Sequence, residues 1–423
     1  MREMETDTSL DLVVIIGAFL LTASVIAWWS FNSYFGGNYE ELLIYRGNDG
    51  HCDTATNGFG VHCWGDYFTL RFDSLFSDPH PAEAIYPLGS RLVRIPFWIF
   101  GKLIGYPFEI ASFLIVSATS CLVPLFLATR GKSLIYRTLV ITVFGTCGVG
   151  FLATLDRGNQ VGLAVLPLFM ICRQLIREVP STGTVSVWFS FVGVIKPQFL
   201  VLLLFLFVFR KLSLLVIPAV SSIATFVVTQ IFLGRGIASI SHMLKSQRNW
   251  SLAGTEEMDY PTNYSVYRLL VQLGIDIPAL GFAVPLLLMS MIIVSRIAKN
   301  QRLFPADLQF GVLCMVIFGT IVYVYYAVLA IIVIALAHYK NTGVEDDTPA
   351  VRVRHLMLIF CAVVLNAPLV IANSWLGLSS LAARNVWPLV TTSLIFLATL
   401  GYGLDAVLDA IQKRGTRRGS QVA

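Results

Sequence analysis

The groups in this sequence that can do chemistry are a carboxylate set among aromatic rings, two cations at breaks between apolar runs, and a polar segment that opens a helix. Asp66 stands in Cys63-Trp64-Gly65-Asp66-Tyr67-Phe68. Rings around a carboxyl disfavour its charged form and move it toward the range of a working base. Glu40, Glu41, Asp53 and Asp73 are acids of the same segment, and a loop aspartate taken alone is usually only solvated. Asp156-Arg157-Gly158-Asn159-Gln160 forms a tight turn between two apolar runs, and Lys196-Pro197-Gln198 interrupts another. A guanidinium fork and an ammonium point charge are the groups that hold a phosphate or pyrophosphate. Each cation by itself also reads as a turn residue snorkelling to an interface. In Tyr260-Pro261-Thr262-Asn263-Tyr264-Ser265-Val266-Tyr267-Arg268, Thr262 or Ser265 can cap a helix. Asn263, Ser265 and Arg268 would then offer donors to sugar hydroxyls or phosphate, against the plainer reading of a capped helix with no ligand.

Membrane helices have to position these groups. Of 423 residues, 56% are apolar and 13% charged, and the mean hydropathy is +0.74. That balance excludes an ordinary soluble domain. A span takes about 20 apolar residues, and in lipid only helices or closed barrels satisfy the backbone. The first run, 12–29, lacks a basic flank and a cleavage site and reads as a retained span. Further runs cover 107–128, 134–153, 158–172, 185–209, 212–233, 277–295, 308–338, 353–374 and 385–408. Lys196-Pro197 breaks the run 185–209, and 308–338 is too long for one straight span, so both read as hairpins of short helices. The expectation is an all-α polytopic protein of about 10–12 transmembrane helices, a single membrane domain over 1–423. Two long extracytoplasmic loops, 30–106 and 234–275, carry their own helices.

Loop lysines and arginines orient the chain. Arg130, Lys132, Arg137, Arg173, Arg177, Arg210, Lys211, Arg296, Arg302, Lys340, Arg354 and Lys413–Arg418 fall on one side, the cytoplasm, if both interrupted runs are hairpins. The other side receives 30–86, Asp156-Arg157, Lys196, 234–275, 323–326 and 374–384. The net charge of +5 is this cytoplasmic excess and not a nucleic-acid footprint. Cys52 and Cys63 lie in the first outer loop, where an oxidising compartment favours a disulfide. His51 and His62 beside them leave a zinc site open, and two unlinked thiols are the third reading. The stretch after Tyr86-Pro87, with Arg91, Arg94, Pro96, Trp98 and Lys102 among apolar residues, reads as a helix lying at the membrane interface.

Five short features, in order, resemble the polyprenol-phosphate-mannose-dependent mannosyltransferases, glycosyltransferase family 87 of the GT-C class. They are Gly65-Asp66-Tyr67-Phe68, Tyr86-Pro87, Arg157-Gly158-Asn159-Gln160, Lys196-Pro197-Gln198 and Asn263-Tyr264-Ser265, all between residues 60 and 270. The resemblance implies a GT-C fold and an inverting transfer at the outer face of the plasma membrane. Asp66 would deprotonate the acceptor hydroxyl, and Arg157, Lys196 and Arg268 would hold the donor phosphate. Tyr86, Asn159, Gln160, Gln198, Asn263, Ser265 and Tyr325 would bind substrate. The donor implied is a polyprenyl-phosphate sugar, mannose or arabinofuranose, and the acceptor a glycolipid or cell-envelope glycan. No cofactor is implied, and the first loop has no Asp-x-Asp pair to require a metal. Where family members carry histidine near a late outer turn, this chain reads Val322-Tyr323-Val324-Tyr325-Tyr326. Broken helices bearing charges also occur in carriers, so a transporter or flippase of a polyprenyl-linked sugar is the alternative. The absence of a detectable internal repeat weighs against it. A non-catalytic assembly subunit is a third possibility.

Overall fold

Serines and prolines mark where the helices start. Ser133, Ser181 and Ser265 accept a hydrogen bond from the backbone N–H of Tyr136, Thr184 and Arg268, satisfying one orphan donor at each start. Pro96, Pro107, Pro197 and Pro305 stand in first turns, where no N–H is needed. The computed structural model describes residues 89–146, 148, 150–151, 154–155, 158–233, 236–241, 243, 245, 265–319, 324–339, 349–366 and 380–422. Among these there is no strand.

Two short helices, α1 (Gly89–Leu92) and α2 (Ile95–Ile104), precede α3 (Tyr106–Ala128). α4 (Leu134–Val140) continues as a π-helical segment, Ile141–Thr146. Then come α5 (Val161–Leu175), α6 (Thr182–Ile195), the 3-10 helix η1 (Pro197–Phe209) and α7 (Leu212–Leu233). The second half holds α8 (Val266–Gln272), α9 (Leu280–Lys299), α10 (Pro305–Val316) and the 3-10 turn η2 (Val324–Leu329), which runs into α11 (Ala330–Ala337). α12 (Pro349–Asn366) and α13 (Ser380–Val422) complete it.

Both interrupted runs are pairs of helices. α6 stops at Ile195 because Lys196 turns extended (φ −149°, ψ 102°), the conformation a following proline favours, and Pro197 then opens η1. In the second run, the Gln309 Nε2–H in α10 donates to the Val333 carbonyl in α11 at 2.8 Å, tying the two helices together.

The short helices α5, α10 and α11 sit inside and four long helices lie outside. Every residue of α10 and of α11 is buried, as is nearly all of α5. Four stretches are long and apolar enough to cross a membrane: Pro107–Ala128, Leu212–Leu233, Leu280–Lys299 and Leu389–Gln412. These outer helices turn large apolar side chains outward, among them Ile115, Phe232, Leu287 and Leu397. Lipid tolerates such a surface and water does not. Small residues let helices approach closely, the packing typical of membrane bundles. Between α3 and α5, Ser120 Oγ–H donates to Leu163 O at 3.2 Å and accepts from Leu166 N–H at 3.1 Å. A Cβ on Gly162 would stand 3.2 Å from that of Ser117. Between α6 and α7, the Ser190 and Ser221 hydroxyls lie 2.8 Å apart.

The bundle has two polar ends. One gathers Arg296, Asp307 and Tyr402, with the Lys299–Asp409 and Arg302–Glu178 pairs, and is called here the Asp307 end. The other, the Lys196 end, gathers the starts of α2, α3 and α5, the α6–η1 turn, α8 and the turn after α10.

Candidate functional site

Three clusters build the Lys196 end. The first is the turn before α5. Gly158 adopts φ 61°, a left-handed conformation suited to glycine, which lets Asn159 N–H reach back to Thr154 O at 2.9 Å. Asn159 Oδ1 accepts from Val161 N–H, the first amide of α5, at 2.9 Å. Gln160 follows, 3% exposed, and neither its Oε1 nor its Nε2 has a hydrogen-bond partner. Arg94, from the start of α2, donates through Nη2 to Gly158 O at 3.3 Å and lies 5.1 Å over the Phe113 ring. Phe113 in turn meets Phe97 edge-on at 5.4 Å.

The second cluster surrounds Lys196, which is buried. Its Nζ stands 5.9 Å from the centre of the Tyr326 ring, within the range of a cation–π contact, and Tyr326 packs edge-on against Phe199 at 6.2 Å. Gln198 is half-buried one turn along. The position of Tyr326 depends on glycines. A Cβ on Gly150 would lie 2.1 Å from Val328 N, and one on Gly148 would fall 2.2 Å from Asn366 Nδ2. Asn366, fully buried at the end of α12, donates to Phe144 O in the π segment at 2.9 Å and accepts from Gly150 N–H at 3.4 Å. One side chain thereby takes up a carbonyl and an amide at the irregular junction.

The third cluster is α8. Ser265 caps it, Val266 N–H donates to Ile317 O at 3.2 Å, and Arg268 is buried. Gly319 N–H donates to Gly281 O at 2.9 Å, an approach that a side chain on Gly281 would block. α8 is thus pinned to the turn that leads to Tyr326. Tyr267 O–H donates to Asp276 Oδ1 at 2.5 Å. Burial and the Asp276 carboxylate push its phenol up to about 12.

Asn159, Gln160, Lys196, Gln198, Ser265 and Arg268 therefore share one end of the bundle, and the contacts above run within each cluster. α5 packs against η2, which sets the Asn159–Gln160 turn beside the Tyr326 element. Asp66, Tyr86, Arg157, Asn263 and the Cys52–Cys63 pair lie outside the described residues, as does the side chain of Tyr325. Asn159 accepts the Val161 amide through its side chain, whereas the Gln160 amide beside it has no hydrogen-bond partner. Arg91 and Arg94, expected on the face of an interfacial helix, are buried in the protein, and the outward residues of α2 are Ile99, Phe100, Leu103 and Ile104. α2 turns apolar side chains out, while the two arginines that precede it are buried. From the tyrosine cluster at 323–326 the sequence singles out Tyr325 as a substrate residue, whereas it is Tyr326 that lies beside Lys196; nothing local marks Ser117.

Among the described residues, the buried charges at this end are Arg91, Arg94, Lys196 and Arg268 against Glu109. No group of three or more metal-ligating side chains occurs among the described residues. No family model matches the chain, and neither a curated protein nor a solved structure matches it.

Proposed function

We propose that the chain is a GT-C-type glycosyltransferase, akin to family 87, that takes a sugar from a polyprenyl-phosphate donor at the outer face of the plasma membrane. The observation that carries the reading is the gathering of buried Lys196, Arg94 and Arg268 with the Asn159–Gln160 turn at one end of an all-helical apolar bundle. Lys196 and Arg157 neutralise the donor phosphate, and Arg268 adds a third cation. Asp66 takes the proton of the acceptor hydroxyl. The freed oxygen attacks the anomeric carbon on the face opposite the phosphate, the bond from that carbon to the phosphate oxygen breaks, and polyprenyl phosphate leaves with the electron pair. Cations fixed in a dry site favour this step because the leaving group gains charge as it departs. The sugar is mannose or arabinofuranose and the acceptor a glycolipid or cell-envelope glycan. Four helices long and apolar enough to cross a membrane support a site within reach of a lipid-borne donor.

The test is transfer of radiolabelled sugar from polyprenyl-phosphoryl mannose or arabinofuranose by the purified chain in nanodiscs, with a cell-envelope lipid extract as acceptor. Label moving into a new glycosidic bond, and lost in Asp66→Asn, supports the proposal. Label crossing a liposome bilayer with no new bond replaces it with lipid-linked sugar transport.

A further inference from the structure

We propose that Gln160 reads the hydroxyl groups of the donor sugar, a role that rests on the glycosyltransferase reading above and divides the Lys196 end into a phosphate half and a sugar half. Gln160 is 3% exposed and presents one acceptor, Oε1, and one donor group, Nε2, neither with a partner. Ser117 Oγ is a second buried hydroxyl without a partner. It lies near the same first turn of α5, 3.6 Å from where a Cβ on Gly162 would be. Unmatched polar atoms in an apolar bundle are costly, and such positions are usually filled by apolar side chains or matched by a ligand.

The chemistry of the unmatched atoms names the ligand. A phosphate only accepts and would leave Oε1 unmatched, and a cation would leave Nε2 unmatched. A hydroxyl both donates and accepts, and two adjacent hydroxyls of a sugar ring can answer Oε1 and Nε2 together. The start of α5 adds nothing for an anion, because its first N–H groups are already taken. Val161 N–H goes to Asn159 Oδ1, Gly162 N–H to Asn159 O at 3.3 Å and Leu163 N–H to Gln160 O at 3.0 Å. The phosphate therefore belongs with the cations, and the sugar with the turn. Trapped water is the other source of a hydroxyl, and the experiment separates the two.

Binding of three probes to the full chain in nanodiscs provides the test: polyprenyl phosphate, and the same lipid carrying mannose or arabinofuranose. The wild type is expected to bind one sugar-bearing lipid at least about tenfold more tightly than the bare lipid phosphate, the scale of one or two hydrogen bonds. Gln160→Met should lose that ratio, keep its affinity for bare polyprenyl phosphate, and unfold at a higher temperature because the unmatched amide is gone. Gln160→Asn, which shortens the same amide by one methylene, should lose the ratio too and supplies the measurement if the Met variant does not fold. Variants that keep the wild-type preference would overturn the inference and leave a trapped water only. Failure of all three lipids to bind the wild type would overturn the glycosyltransferase reading and this inference with it.

Discussion

At the Asp307 end, buried charge is closed into a network. Arg296 donates to both oxygens of Asp307, at 2.9 and 3.0 Å, and to Gln301 Oε1 at 2.8 Å. Tyr402 O–H and Phe304 N–H also donate to the carboxylate, at 2.9 and 2.8 Å, and the guanidinium lies 4.4 Å over the Phe304 ring. At the Lys196 end, Arg94 donates to the Gly158 carbonyl and lies over the Phe113 ring, and the Lys196 ammonium lies within reach of the Tyr326 ring. The first arrangement ties α9, α10 and α13 together; the second gathers buried cations at the end to which the proposed function assigns the donor phosphate.

Substitutions at the two ends should separate stability from activity. Asp307→Ala leaves the Arg296 guanidinium buried without its carboxylate and should cost about 3–5 kcal/mol, read as a fall in unfolding temperature in detergent. The double change Arg296→Met with Asp307→Leu should recover most of that loss; if it does not, the pair does more than brace the helices. Lys196→Met should slow sugar transfer by about 100- to 1000-fold, with a much smaller change in unfolding temperature. A variant that unfolds early but turns over normally would move Lys196 into the structural class. Asn366→Ala sits at the Lys196 end yet should behave like the other end, destabilising by about 2 kcal/mol because a carbonyl and an amide lose their partner in the interior. Arg302→Ala removes a pair whose Glu178 side chain is 80% exposed. It should shift stability by only about 0–1 kcal/mol in the same unfolding assay.

Much of the helical layout was legible because apolar runs and prolines report it locally. Lys196-Pro197 marked the α6–η1 break, and the length of the run 308–338 marked the α10–α11 pair. The boundaries of α7, Leu212–Leu233, fall where the apolar run begins and ends. What stayed hidden depends on distant partners. The attachment of Arg94 to Gly158 spans 64 residues, and that of Asn366 to Phe144 spans 222. Arg91 and Arg94 sit among apolar residues, and no periodicity says whether the arginines or the leucines turn inward. The π segment and the 3-10 form of η1 likewise arise from packing and not from residue propensity. Asn159 and Gln160 look alike in the sequence, and only hydrogen bonding separates the matched side chain from the unmatched one.

The short central helices bear on how the protein meets different lipids. α5 and α10 have 15 and 12 residues, about 18–22 Å of helix, against a hydrocarbon layer of about 30 Å. Longer helices around them take the contact with lipid, so hydrophobic mismatch acts on the rim. A change in acyl-chain length can be absorbed by tilting α3, α7, α9 and α13, while the centre, and the polar groups at its Lys196 end, keep their spacing as the bilayer thickens or thins.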